Sequence, residues 1–207
     1  MLYAVDLLGT FVFAVSGAFQ ANRHELDFLG FMVLAVATGV GGGMIRDVLL
    51  GATPPAVFED ESYLIVCLAA GALVFRAAPS IAKRWNRVLV ADAFGLGVFA
   101  AMGAAKAAAF GLGPIGVVMM AATTATGGGV VRDVLVREAP AVIKGGFYAT
   151  AALLGGAAYL GAEALGLGEP IRLAAAMVVT TGLRFWAMAH KVSLPTARRT
   201  HAPDEKG

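Results

Sequence analysis

Charge is what this sequence has least of: Lys, Arg, Asp and Glu make up 14% of its 207 residues, against 58% hydrophobic. A soluble domain carries about a quarter charged residues, so a soluble globular protein is excluded. Cysteine is almost missing as well. Cys67 is the single one, which rules out a disulfide within the chain and leaves it the reading of a small apolar residue. Histidine is as sparse, with His24, His190 and His201 all near the ends of apolar runs or in the tail. No metal-spaced group and no phosphate-loop lysine is present. The one literal G-x-G-x-x-G, Gly111 to Gly116, follows a helical run and contains Pro114, so the strand-to-helix context of a dinucleotide site is missing. Neither an enzyme nor a cofactor is expected, and no nucleic-acid partner.

What the chain does have is long apolar runs, with a mean hydropathy of +0.76. Stretches of about 20 apolar residues mark membrane helices, and seven candidates follow: 2–21, 28–51, 62–78, 88–109, 114–136, 143–165 and 171–190. Unbroken runs exclude a β-barrel, whose strands alternate. The expected fold is an all-α integral membrane domain over 1–190 with a polar cytoplasmic tail over 191–207. The first run lacks a basic leader region and carries Asp6, so it reads as a retained helix.

Basic residues near span ends set orientation. Arg23, Arg76, Lys83, Arg84, Arg87, Arg137, Lys144, Lys191, Arg198, Arg199 and Lys206 fall on one side of seven alternating spans; Glu59, Asp60, Glu61, Glu163, Glu169 and the lone Arg172 fall on the other. The N-terminus is therefore expected outside and the C-terminus in the cytoplasm, in the cell (inner) membrane.

Asp6–Val57 aligns without a gap on Asp92–Ile143, with twenty identities. The informative matches are the uncommon residues: Asp6 with Asp92, Phe13 with Phe99, Thr38 with Thr124, Arg46 with Arg132, Asp47 with Asp133 and Pro54 with Pro140. Repeat one covers about 2–78, repeat two about 88–165, and the seventh helix, about 171–190, stands outside. Three spans per repeat put the second copy upside down relative to the first, an inverted repeat of the kind found in proteins that move solutes across bilayers.

Each repeat contains the same device, "TGVGGGMIRD" from Thr38 and "TATGGGVVRD" from Thr124. Glycine in a helix interior costs about 1 kcal/mol against alanine, so Gly41, Gly42 and Gly43, with Gly127, Gly128 and Gly129, are expected to kink or unwind spans two and five. Close helix packing through small residues is the other reading. A charge at membrane depth costs about 2.5–3.5 kcal/mol on insertion scales and faces a partner or water. Counted from the span ends, Asp6 lies at the depth of Arg46, and Asp92 at that of Arg132. Ion pairs between them are expected, leaving Asp47 and Asp133 to cap backbone or face a path; locking of the helices is the alternative role. Lys106, whose repeat mate is Gln20, either snorkels to the interface or takes part in gating. Arg184 in the seventh span reads as a snorkelling or helix-contact residue. The stripes Ala14, Gly17, Ala18, Ala21 and Ala100, Gly103, Ala104, Ala107 read as packing faces.

Seven spans, two three-helix repeats and the doubled "GGGMIRD" and "GGGVVRD" resemble the bacterial members of the trimeric intracellular cation channels, the TRIC family, over the chain to about residue 190. The resemblance implies a homotrimer with one hourglass pore per protomer, bounded by spans one, two, four and five and passing between kinked spans two and five. Potassium, and to some extent sodium, would be the permeant ions, and membrane lipids the other partners. It also makes Lys106 the gating candidate. The short tail departs from the long charged tails of animal relatives, so lipid-regulated or calcium-store roles do not carry over. Similar sequences are grouped as a glycine-transporter domain, which leaves transport of a small solute such as glycine as the alternative. The charges within the spans balance, Asp6, Asp47, Asp92 and Asp133 against Arg46, Lys106, Arg132 and Arg184, so cation preference rests on the resemblance.

Overall fold

A computed structural model describes residues 2–81, 86–144 and 147–192, without the side chains of residues 78–81 and 86–88. The expected positions of Lys83, Arg84, Arg198, Arg199, Lys206, His201 and most of the tail lie outside these residues, as does the side chain of Arg87. Eight helices are present among them: α1 (Leu2–Arg23), α2 (Phe28–Leu50), α3 (Ala56–Glu59), α4 (Ser62–Ile81), α5 (Asn86–Ala109), α6 (Pro114–Leu135), α7 (Ala149–Ala164) and α8 (Glu169–Ala189). At 1.5 Å per residue, a 22-residue helix such as α1 spans about 33 Å, close to the hydrocarbon thickness of a bilayer. Five helices have the length and apolarity to cross a membrane: α1, α2, α5, α6 and α8; the apolar part of α4, Ser62–Ala77, is shorter.

Local chemistry sets the boundaries. Asp27 caps α2 by accepting the Gly30 N–H at 2.8 Å, and Gly51, with φ of 71°, ends it in a left-handed turn that few other residues enter without strain. Proline opens α6 and α8, where its missing N–H is harmless. The expected span 143–165 is shortened to 16 residues. Before it, residues 141–144 form a turn that follows Arg137, with φ of 58°, and Pro140, and the Ala141 N–H is held by the Asp133 carboxylate at 3.0 Å. The four-residue α3 was not expected either.

Large apolar side chains point outward, as a lipid-facing surface requires: Leu29, Ile65 and Val178 are all more than half exposed. Small ones point inward. Ala14, Ala18, Ala21, Ala100, Ala104 and Ala107 are fully buried, so the two stripes are packing faces. α1 lies against α2, α4 and α5; α5 lies against α1, α6, α7 and α8; and α2 meets α6.

The contacts between the two repeats are reciprocal. Gly9 abuts Phe99, while its repeat mate Gly95 abuts Phe13. Phe13 and Phe99, mates themselves, have ring centroids 5.1 Å apart. A β-carbon on Gly42 would collide with the Thr124 carbonyl oxygen, and one on Gly128 with the Thr38 carbonyl oxygen. Such i-to-j and j-to-i contacts are the signature of a two-fold relation.

That crossing fits the packing reading of the glycines and overturns the unwound turn. α2 and α6 are helical without interruption through Gly41–Gly43 and Gly127–Gly129, so no unwound turn exists at either triplet. Freed backbone groups in an apolar slab would each cost several kcal/mol, far more than glycine's helix penalty. Gly42 and Gly128 instead let the two backbones touch.

Candidate functional site

α1 and α5 run antiparallel, and each brings a carboxylate to one end of the bundle. At the first end Asp6 of α1 meets Arg46 and Asp47 of α2. Arg46 Nη1 lies 3.5 Å from Asp6 Oδ1, and its Nε donates to Asp47 Oδ1 at 2.8 Å. The Tyr63 hydroxyl of α4 donates to Asp6 Oδ2 at 2.9 Å. Lys106 of α5 donates to Asp47 Oδ1 at 2.7 Å, which replaces the snorkelling reading with a bond into the bundle. The other oxygen of Asp47 accepts the Ala56 N–H at 3.2 Å and so holds the start of α3.

The second end repeats the design. Arg132 donates through Nη1 to Asp92 Oδ1 at 2.7 Å and to Ser16 Oγ at 2.6 Å, and through Nε to Asp133 Oδ1 at 2.9 Å. Asp133 Oδ2 accepts the Ala141 N–H in the way that Asp47 accepts that of Ala56. The Pro54 and Pro140 matches mark why: both chains turn back after Arg-Asp and lay a backbone N–H on the second carboxylate. Asp6, Arg46, Asp47, Asp92, Arg132 and Asp133 are all at most 6% exposed. Each arginine is neutralised within its cluster, as burial in low dielectric demands.

The two ends differ in their neutral partners, Tyr63 at the first and Ser16 at the second, and in the lysine. Gln20 stands where repeat symmetry would place a lysine, and its Nε2 lies 3.5 Å from His24 Nε2. Arg184 of α8 enters this end from outside the repeats, with its guanidinium 4.9 Å from the centre of the Tyr148 ring.

Each cluster floors a cavity. The first, ≈ 330 Å³, is lined by Tyr3, Asp6, Arg46, Tyr63, Lys106 and Glu169 among others. The second, ≈ 220 Å³, is lined by Gln20, Arg23, Asp92, Arg132, Asp133, Glu138, Lys144 and Arg184 among others. Along α1, Asp6 belongs to the first and Gln20 to the second, so they lie about 21 Å apart. Between them the bundle is tight. Phe13, Phe99, Thr38 and Thr124 are at most 1% exposed, and Thr38 turns its hydroxyl to the Leu34 carbonyl at 2.6 Å. One small cavity of ≈ 20 Å³ beside Thr10, Gly39, Gly43 and Arg46 has room for about one water.

Two polar knots sit at the rims. Asp60 accepts from the Tyr3 hydroxyl at 2.6 Å and from the Ser62 N–H at 2.9 Å, which holds its carboxyl below the usual range. Glu138 draws Arg23 at 3.0 Å, His24 at 3.1 Å and Lys144 at 3.6 Å. Partial burial works against its charge, yet Arg23, the hydrogen bond with His24, and Lys144 keep its carboxyl below the usual range. Tyr63, Ser16, Tyr148 and Glu138 were not singled out in the sequence. The shared proline seven residues after each arginine-aspartate pair was the available signal for the returning loops.

Comparisons with known proteins place this geometry. A family model described as "Glycine transporter" matches twice, over residues 3–79 and 89–164. A "UPF0126 membrane protein" of Vibrio cholerae is 40% identical over 95% of this chain and 82% of its own length. The "UPF0126 inner membrane protein YadS" of Escherichia coli K12 is 37% identical over 100% of this chain and 99% of its own. Among solved structures, the TRIC trimeric intracellular cation channel orthologue from Rhodobacter sphaeroides superposes with a TM-score of 0.88 at 37% identity, covering 92% of this chain and 98% of that one. With the family model matched in both halves and relatives spanned nearly end to end, the chain belongs to the TRIC family of membrane proteins, whose repeated domain carries the description "Glycine transporter".

Proposed function

We propose that the protein is a monovalent cation channel, permeable to potassium, with one path per protomer of a homotrimer in the cell membrane. The path runs from the Asp6 cavity, along the crossing of α2 and α6, to the Asp92 cavity. α1, α4 to α8 and α2 serve as the seven spans of an inverted repeat plus one, with the N-terminus outside and the C-terminus in the cytoplasm. The observation that carries this reading is the pair of charged cavities on opposite ends of one antiparallel helix pair, lined by repeat-related residues. The TRIC channel from Rhodobacter sphaeroides supports it independently.

The packed Phe13, Phe99, Thr38 and Thr124 between the cavities define a closed waist in this reading. Conduction requires α2 and α6 to separate there, and the glycine triplets are the part of each helix that can slide with little side-chain obstruction. Lys106 acts as a latch on the first side, because its 2.7 Å bond to Asp47 ties α5 to the end of α2. The buried charges are paired at both mouths, so the cation preference in this reading rests on the TRIC channel relative.

Single-channel recording of the purified protein in planar bilayers tests this. Unitary currents whose reversal potential follows the potassium gradient are expected. The family description favours one rival, a transporter of a small solute such as glycine. Saturable glycine uptake by proteoliposomes without unitary currents would establish that rival instead.

A further inference from the structure

The two charged clusters are built from the same repeat, yet their charges do not match within the repeat. At the first end Asp6 and Asp47 face Arg46 and Lys106. At the second, Asp92 and Asp133 face Arg132, and Gln20 holds the lysine's place. Among the directly paired buried residues the second cluster is one positive charge short, while Arg23 and Lys144, which also line its cavity, are engaged by Glu138 at its rim. A buried cluster with an excess carboxylate is costly, and α8 carries the remedy.

α8 is fastened to this end at a fixed height. Thr181 donates to the Ala93 carbonyl, next to Asp92, at 3.4 Å, and Gly97 and Gly155 leave room for Thr181 and Thr180 against α5 and α7. Arg184 follows one turn later on the same face. Its guanidinium lies over the Tyr148 ring at 4.9 Å, and the residue borders the cavity lined by Asp92, Asp133 and Glu138 together with Arg132, Arg23 and Lys144. Among the described residues it forms no ion pair, and its Nε is buried without a hydrogen-bond partner. It thus shares the cavity with the two carboxylates without a direct bond to either, whereas Lys106 bonds Asp47 directly.

We propose that Arg184 supplies to the Asp92 cavity the positive charge that Lys106 supplies to the Asp47 cluster, and so sets how easily cations enter from that side. This rests on the channel reading for its effect on current, but not for its effect on the folded protein. The asymmetry has a consequence: Lys106 is bound to a carboxylate, whereas Arg184 lies on an aromatic face with no carboxylate bonded to it. One unit charge at about 10 Å in a water-rich mouth changes local cation occupancy about twofold.

The test transplants the charge. Arg184→Gln is expected to raise potassium conductance from the Asp92 side about twofold at low salt, with the difference fading at 1 M salt, and to lower the melting temperature of the detergent-solubilised protein. Gln20→Lys combined with Arg184→Gln is expected to restore both values. Arg184→Lys, which keeps the charge but not the guanidinium, should hold the low-salt conductance near the wild-type value. Failure of Gln20→Lys to restore the melting temperature, or an unchanged conductance in a conducting Arg184→Gln channel, would overturn the proposal and reduce Arg184 to a packing contact. Absence of current from the wild-type protein would instead strike the channel reading, with the melting series still deciding the charge replacement.

Discussion

Alanine at Gly42 separates the two jobs a glycine triplet can do. If the triplet serves flexibility, alanine at any of its three positions stiffens α2 equally and stabilises the resting fold by up to about 1 kcal/mol, the difference in helix propensity. If it serves contact, the three positions differ sharply. A methyl on Gly42 meets the rigid Thr124 carbonyl oxygen; one on Gly41 makes only ordinary contact with the Gly128 Cα at 3.5 Å; one on Gly43 meets nothing nearer than Arg46 Nη2 at 3.7 Å. Relieving the Gly42 clash to a normal 3.3–3.6 Å carbon–oxygen distance moves α6 away by roughly 1 Å along the crossing. Overpacking of this kind costs about 1–3 kcal/mol, which exceeds the propensity gain. Gly42→Ala should therefore lower stability by about 1–2 kcal/mol, while Gly43→Ala should be neutral or stabilising. Because Gly128 lies at the same crossing with the mirror-image clash, one separation relieves both, so Gly42→Ala with Gly128→Ala should cost less than the sum of the singles. Thermal unfolding of the four variants in detergent reads this directly. Equal effects at Gly42 and Gly43 would refute the contact argument.

Lys106→Gln unties α5 from Asp47 and should increase channel open probability severalfold in bilayer recordings, with unit conductance little changed; an unchanged gating pattern would remove the latch. Arg46→Gln leaves Asp6 and Asp47 buried with reduced compensation, a loss worth about 3–5 kcal/mol when one partner of a buried pair is removed, and the double Asp6→Asn, Arg46→Gln should recover part of it in the same melting assay. Tyr63→Phe deletes a hydrogen bond to a charged group and should cost about 1.5–3 kcal/mol. The lowered carboxyl of Glu138 means that the folded state binds fewer protons there than the unfolded chain, so its contribution is complete above the usual carboxylate range and disappears as pH falls through the lowered value. Glu138→Gln should flatten that acid limb of the stability profile, and a curve superposable on wild type would show the Arg23, His24 and Lys144 knot to be energetically idle.

The pairs of charges were readable because they need only depth: Asp6 and Arg46 sit near the same end of neighbouring helices, and the structure puts them 3.5 Å apart, with Asp92 and Arg132 at 2.7 Å. The repeat was readable for the same reason, since an offset along the chain is a one-dimensional property. What a single helix cannot announce is which neighbour fills its face. Tyr63, Ser16 and the Lys106 bond to Asp47 come from other helices, and their residue types fit many other roles. The triplets left two readings open because glycine writes the same letter for a hinge and for a place where backbones touch; the contacts at Gly42 and Gly128 fit the second. The first turn expected of the 143–165 span misled because apolar composition measures burial, whereas Arg137, Pro140 and the Asp133 carboxylate decide the path.

The like-to-like meeting of Phe13 with Phe99, and of the Gly42 and Gly128 crossings, also separates folding from insertion. A core interface that maps onto itself when its halves are exchanged is as well satisfied with the molecule standing either way up in the membrane. Nothing at that interface tells the insertion machinery which half goes in first. The choice is left to the rim, to Arg23, Arg76, Arg137 and Lys144 on one face and Glu59, Asp60 and Glu61 on the other. Recoding a few loop charges should therefore turn the protein over while leaving its waist unchanged.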